Sequence, residues 1–73
     1  MDIGKEIREE LRRQGRTVTW LAQHLTLRRA TLYDTFKKNS IDTYLLKRIS
    51  EALGKDFFAL LSEDLRKDEG VRN

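Results

Sequence analysis

The side chains best suited to specific chemistry in this sequence are cationic and aromatic, and they cluster between Arg28 and Lys38. Arginine can donate two parallel hydrogen bonds to O6 and N7 of guanine, and an alanine methyl fits against the methyl group of thymine. A tyrosine hydroxyl can reach a base edge or a phosphate. An aspartate can accept from N4 of cytosine, but we favour its neutralisation by the lysine four residues later. The candidate base-contacting residues are Arg29, Ala30, Tyr33, Asp34 and Lys37.

No arrangement typical of catalysis or metal binding accompanies this cluster. The sequence contains no cysteine and one histidine, His24, which has no partner at ligand spacing. Nucleophile–base pairs and glycine-rich phosphate loops are also missing from the sequence. The adjacent Glu9 and Glu10 project to different sides of a helix and cannot act together. We therefore expect no enzyme activity, no cofactor and no metal.

Two short helices are predicted to position the cluster. The second of them buries Leu32 and Phe36, which lie four residues apart. Only Thr26-Leu27 separates its apolar face from that of the preceding helix, so the two helices must cross at a steep angle. Thr17 is the candidate N-cap of the preceding helix, with Thr19 as the alternative. That helix is predicted from apolar residues at helical spacing, namely Val18, Leu21, Ala22 and Leu25.

These residues carry a family resemblance. The pattern L-A-x-x-L-x-L-x-x-x-T-L within residues 17–38 resembles the helix-turn-helix of phage-repressor (Cro/cI-like, XRE-type) regulators, whose usual pattern is L-A-x-x-L-G-V-S-x-x-T-I. The likeness continues through S-I-D-T-Y-L-L-K-R-I-S-E-A-L in residues 40–53. Thr26 stands where glycine is usual, which predicts a strained or modified turn because β-branched residues disfavour positive φ. Arg28 stands where a serine N-cap is usual, and it is free to reach a phosphate instead.

The resemblance implies a small bacterial or phage transcriptional regulator that binds specific double-stranded DNA sequences in the cytoplasm. It implies a homodimer that inserts the helix of residues 28–38 into the major groove. In this family the start of the preceding helix and the loop after the recognition helix contact the DNA backbone. The candidate backbone contacts are Thr17, Thr19, Arg28, Lys38, Asn39 and Ser40.

Three further helices complete the predicted fold. The first should end near Gly15, and its apolar stripe consists of Ile3, Ile7 and Leu11. Trp20 lies off the apolar face of the second helix and is expected to pack sideways against the first helix. Asp42 should cap a fourth helix that ends at Gly54, and Asp56 should cap a fifth. We expect an all-α, compact, five-helix, phage-repressor-like domain of residues 1–65, followed by a charged, disordered tail of residues 66–73.

The predicted fifth helix carries more apolar side chains than one small core can take. Two adjacent phenylalanines, Phe57 and Phe58, cannot both face the same core from a short helix. A leftover apolar edge in so small a domain often marks an interface. The alternative is that both rings cover the end of the helix bundle. The candidate dimer contacts are Phe57, Phe58, Leu61 and Leu65.

Charge distribution adds to the case for a nucleic-acid partner. The 73 residues have a net charge of +3. Residues 26–39 carry four basic side chains and one acidic side chain, so the excess positive charge lies on the predicted recognition helix. No apolar run is long enough to span a membrane, and Met1-Asp2-Ile3-Gly4 does not begin a signal peptide. A cytoplasmic location without membrane contact is the expectation.

A second class of function is a protein-interaction module, such as an antitoxin or an anti-repressor, that keeps the helix-turn-helix shape. The apolar fifth helix is the feature that favours this class. Such a module would bind a protein partner stoichiometrically and would bind DNA weakly, with a steep dependence on salt.

Overall fold

The computed structural model describes the backbone of residues 1–72 and the side chains of residues 1–67. It contains five helices: α1 (Ile3–Arg13), α2 (Val18–Leu25), α3 (Arg29–Lys38), α4 (Thr43–Leu53) and α5 (Phe57–Arg72). Helix α2 packs against α3 and α4, α1 packs against α3, and α4 packs against α5. The predicted all-α class is confirmed.

Side-chain caps start four of the helices. The carboxylate or hydroxyl of Thr17, Asp42 and Asp56 accepts a backbone N–H three residues later, at 3.0, 2.8 and 3.0 Å respectively. All three caps were predicted, and Thr19 lies inside α2 instead of capping it. Asp2 caps α1 by accepting from the Lys5 N–H at 3.0 Å, which the sequence reading missed. Each cap satisfies a backbone donor that the helix leaves unpaired, worth about 1 kcal/mol.

Every helix contributes at least one fully buried side chain to the core, and α1 contributes two: Ile7, Leu11, Leu21, Leu32, Ile49 and Phe57. The apolar positions predicted from helical spacing in α1, α2 and α3 are buried, except Val18, which is half-buried against the core. Burial of one such side chain contributes about 1.5–3 kcal/mol, so this shared cluster holds the helices at fixed angles. The core therefore sets how α2 and α3 are presented to solvent.

A polar cluster joins the end of α1 to the segment that follows α4. The buried Glu10 carboxylate pairs with Arg13 at 3.2 Å and with Lys55 at 3.7 Å. The Gln14 amide donates to Glu10 at 2.8 Å and to the Leu53 carbonyl at 2.7 Å. Two cations and one amide thus compensate a carboxylate that burial would otherwise penalise.

The C-terminal helix is longer than the sequence reading expected. Helix α5 continues to Arg72, whereas a tail was predicted from residue 66, and Asn73 lies outside the described residues. Two local features favour continuation: Arg66 donates to the Ser62 hydroxyl at 3.0 Å, and Glu63 precedes Lys67 by four residues in the sequence. The division into a domain of residues 1–65 and a separate tail stays a prediction.

Candidate nucleic-acid interface

The turn between α2 and α3 places a β-branched residue in an unfavourable backbone conformation. Thr26 adopts a left-handed backbone with φ of 58°. Its N–H donates to the Gln23 carbonyl at 3.2 Å, and the Leu27 N–H donates to the Ala22 carbonyl at 2.8 Å. These bonds pair carbonyls that the end of α2 would otherwise leave free. The predicted strained turn is therefore present, at a cost of about 1–3 kcal/mol for a non-glycine residue in this region.

Helix α3 exposes most of its surface. Only Leu32 and Phe36 are buried, and Thr35 is half-buried. The five predicted base-contacting residues are all exposed, and at 3.6 residues per turn they fall within an arc of about 140°. The structure thus places on one side of α3 the residues Arg29, Ala30, Tyr33, Asp34 and Lys37.

The two helices are also linked across this surface by their side chains. The Arg29 guanidinium donates to the Thr19 hydroxyl at 3.5 Å, a long hydrogen bond between exposed groups. Thr19 was predicted as a backbone-contacting residue, and Arg29 as a base-contacting residue. Their contact means that Arg29 leans toward α2 rather than straight out from α3.

One exposed residue of α3 was not among the sequence-based candidates. The side chain of Thr31 is exposed, and its carbonyl accepts from the Thr35 hydroxyl at 2.9 Å. The signal was available in the sequence, because Thr31 lies one turn before the exposed Asp34 and on the side opposite Phe36. Thr31 therefore joins the candidate contact residues.

The expected ion pair on α3 does not form. Asp34 and Lys38 are both exposed, and among the side chains of residues 1–67 no ion pair joins them. The gain from such a surface pair, a few tenths of a kcal/mol, is too small to order two exposed side chains. The Asp34 carboxylate is therefore available to accept a hydrogen bond from outside the protein.

Polar groups at the starts of α2 and α3 are free to donate. Arg28 occupies the N-cap position of α3 without a side-chain capping bond, and its side chain is exposed. The Thr17 oxygen accepts from the Trp20 N–H at 3.0 Å, which leaves its hydroxyl proton available to an acceptor outside the helix. Both helix starts thus present positive or donor groups, as binding of phosphate requires.

Asn39 has a structural role that the sequence reading did not foresee. Its side-chain oxygen accepts from the Ile3 N–H at 2.9 Å, and its side-chain nitrogen donates to the Met1 carbonyl at 3.1 Å. Its left-handed backbone, with φ of 51°, ends α3. Asn39 therefore ties the end of α3 to the start of α1, and its contact with DNA stays a prediction. Lys38 and Ser40 on either side are exposed.

The apolar face of α5 differs from the predicted one at a single position. Phe57 is 0% exposed and belongs to the core, so it cannot contribute to an interface. The adjacent Phe58 is 38% exposed, which agrees with the prediction that the two rings cannot share one core. Leu61 and Leu65 are exposed as well, and these residues at positions i, i+3 and i+7 share one face of α5.

Other kinds of site find little support in the part of the chain that is described. No group of three or more His, Asp or Glu residues there could hold a metal ion. None of the described helices has both the length and the apolar content to cross a membrane.

Comparison with known proteins adds no relative. No protein-family model, curated protein or solved structure matches this chain. The function must therefore be argued from the α2–α3 surface itself.

Proposed function

We propose that this protein binds specific sequences of double-stranded DNA by inserting α3 into the major groove. The observation that carries the proposal is the exposed surface of α3, where polar and cationic side chains cover the part of the helix that Leu32 and Phe36 do not bury. The major groove admits one α-helix, and its base edges offer the acceptors and methyl groups that these side chains suit. The excess of basic over acidic residues on the same helix attracts the phosphate backbone.

Within this proposal the residues divide into two groups. Base edges are contacted by Arg29, Ala30, Thr31, Tyr33 and Lys37, and Asp34 accepts from N4 of cytosine. Phosphates are bound by cations and hydroxyls at the edges of the same surface, which set the register of α3 without reading sequence. These residues are Thr17, Thr19, Arg28, Lys38 and Ser40.

We further propose that the protein is a small transcriptional regulator that works as a homodimer in the bacterial cytoplasm. Phe58, Leu61 and Leu65 supply the dimer contact. A two-fold dimer would set two α3 helices about 34 Å apart, one turn of DNA, and would recognise a near-palindromic site.

Selection of bound duplexes from a random DNA pool, at moderately high salt, tests the proposal. Enrichment of a near-palindrome is the expected result, and the spacing of its half-sites gives the dimer geometry. Enrichment of a single half-site would support base recognition by α3 but would reject the symmetric dimer. A variant with Arg29→Ala and Lys37→Ala should lose this enrichment. The matched control, with Arg12→Ala and Lys47→Ala, loses the same charge and should keep the enrichment. No enrichment with the native protein would reject sequence-specific binding.

The second candidate function is protein binding by a helix-turn-helix domain that has no operator. The observation that favours it is the apolar face of α5, with Leu65 57% exposed. It differs from the first proposal in what it predicts for DNA: weak binding to all sequences alike, with a steep dependence on salt. Random-pool selection separates the two, because only the first proposal predicts an enriched sequence.

A further inference from the structure

The outer side of α2 carries a stack of three side chains that DNA binding by α3 does not use. The Arg16 guanidinium lies 3.9 Å from the centre of the Trp20 ring. The rings of Trp20 and His24 stack with their centres 5.1 Å apart and an interplanar angle of 26°. Trp20 is the middle member of this ladder and is also partly buried against the core. Its expected packing against α1 stays a prediction.

The ladder leads into a cavity between α2 and α4. This cavity has a volume of about 200 Å³ and is lined by His24, Leu25, Arg48, Glu51 and Ala52. The half-buried Arg48 donates to the Leu25 carbonyl at 2.9 Å and lies 5.9 Å from the centre of the Tyr44 ring. Tyr44 is 70% exposed, so a second cation–aromatic pair continues the surface on α4.

The cations of this surface have no carboxylate partner in the described part of the chain. Among the side chains of residues 1–67, no ion pair involves Arg16 or Arg48. The sequence between Glu10 and Asp34 contains no acidic residue at all. A guanidinium has five N–H donors in one plane. Arg48 donates one of them to the Leu25 carbonyl, so the remaining donors can form a bidentate pair with a carboxylate.

This surface faces away from the side on which α2 meets the start of α3. Thr19 marks that side, because its hydroxyl accepts from Arg29. At 3.6 residues per turn, Trp20 and His24 lie about 100–140° around the α2 axis from Thr19. A ligand beside His24 and Arg48 would therefore lie on a different side of α2 from the Thr19–Arg29 contact, with Thr17 as the proposed phosphate contact nearest to it.

We propose that the face formed by Arg16, Trp20, His24, Tyr44 and Arg48 binds an acidic segment of a protein partner, with one carboxylate entering the cavity beside Arg48. Tryptophan, tyrosine and arginine are the residue types that dominate protein interfaces. Glu51 on the cavity wall would repel a densely charged polyphosphate. A single carboxylate bound at the Arg48 end of the cavity would avoid this repulsion. The aromatic rings suit the aliphatic parts of a peptide. Binding at this face does not require that α3 binds DNA.

Trp20 is the single tryptophan, so its fluorescence reports directly on this face. The probe is a short peptide of alternating Glu and Ala, with a second peptide in which Gln replaces every Glu. We expect a saturable change in Trp20 fluorescence with the Glu peptide and none with the Gln peptide. The same titration by calorimetry gives the affinity without relying on the tryptophan signal. A native protein that shows no saturable binding of the Glu peptide by either method overturns the proposal.

Two variants with a matched control locate the binding. Arg16→Gln and Arg48→Gln should each weaken binding of the Glu peptide about tenfold, the effect of losing one charge-assisted hydrogen bond. Arg12→Gln removes the same charge from an exposed position on α1 and should leave the affinity unchanged. Arg48→Gln also removes the bond to Leu25, so its fold is checked by circular dichroism, and the exposed Arg16 provides the test if it unfolds. An equal loss in all three variants would mean that the peptide follows net charge and not this face.

Two further titrations separate the competing ligands. Inorganic polyphosphate that binds more tightly than the Glu peptide, with the same dependence on Arg48, would replace a protein partner by a phosphate-bearing ligand and overturn the proposal. Saturation with a duplex selected as above should leave binding of the Glu peptide intact, and Arg29→Ala should not affect it. Loss of peptide binding on addition of duplex would place both ligands on one face and contradict the assignment.

Discussion

Gly4 of α1 lies directly against the backbone of Phe36 in α3. A Cβ atom added at Gly4 would lie 2.8 Å from the Phe36 Cβ and 2.9 Å from both the Phe36 Cα and its carbonyl oxygen. Real side chains do not approach a backbone so closely, so any larger residue forces the two helices apart. Together with the Asn39 side chain, which binds the start of α1, this contact sets the position of the C-terminal half of α3.

Gly4→Ala should destabilise the fold by about 1–3 kcal/mol, because the added methyl overpacks a contact with backbone atoms. The sign of the change in stability is informative, because replacing glycine by alanine in an unconstrained helix stabilises a protein by about 1 kcal/mol. Urea unfolding followed by circular dichroism measures the change. The exposed neighbour Lys5→Ala is the control and should lie close to the native stability. A Gly4→Ala protein more stable than the native one would contradict the close approach.

Thr26→Gly should stabilise the protein by about 1 kcal/mol, because glycine adopts the left-handed conformation without strain. The observed φ of 58° at Thr26 is the reason for the prediction. Thr31→Gly removes the same side chain from a helical position and should reduce stability instead. Thermal unfolding of both variants provides the comparison. Equal losses in the two would show that Thr26 carries no strain.

Arg29→Ala should cost about 1–3 kcal/mol in DNA affinity and relax the preference at one base position. Binding to the selected duplex and to its single-base variants measures both effects. Thr19→Val removes the acceptor of the Arg29 hydrogen bond and should cost less, since Arg29 itself stays. Arg12→Ala matches the charge change on α1 and should leave the base preference unchanged. An Arg29→Ala protein with native affinity and preference would reject the assigned reading surface.

Lys38→Ala should weaken binding to all duplexes alike and reduce the slope of log affinity against log salt by about one unit. The reason is that a phosphate contact releases one counterion and carries no sequence information. Lys47→Ala, an exposed lysine on α4, is the matched control and should keep the native slope. Titration at several salt concentrations gives the slopes. A loss restricted to one sequence would instead assign Lys38 to base reading.

Phe58→Ser together with Leu65→Ser should convert a dimer to a monomer with little effect on the stability of the monomer, since both side chains are exposed. Phe57→Ala should do the opposite and cost about 3–5 kcal/mol in folding free energy, because that ring fills the core. Sedimentation velocity measures the first effect and urea unfolding the second. A native protein that sediments as a monomer would exclude α5 as a homodimer contact at the concentrations tested.

The sequence by itself determined the helices and most of the core. Helical spacing, N-caps such as Thr17 and Asp42, and Gly54 at a helix end all act within a few residues, so they can be read without the fold. The strained or modified turn at Thr26 was expected from the family resemblance, because Thr26 stands where glycine is usual. The helical spacing of Leu32 and Phe36 also predicted an exposed cationic surface on α3, because these two residues define its buried face and leave Arg29 and Lys37 outside it.

Only the tertiary structure decided contacts between residues far apart in the chain. The Asn39 side chain forms hydrogen bonds with backbone groups 36 and 38 residues away, and no local sequence pattern near Asn39 predicts these partners. Phe57 and Phe58 are identical in type, so the angle at which α5 docks on α4 alone decides which ring is buried. The meeting of His24 with Arg48 likewise follows from the packing of α2 on α4. Local patterns act through backbone geometry within one turn, whereas these pairings depend on how the shared core sets whole helices against one another.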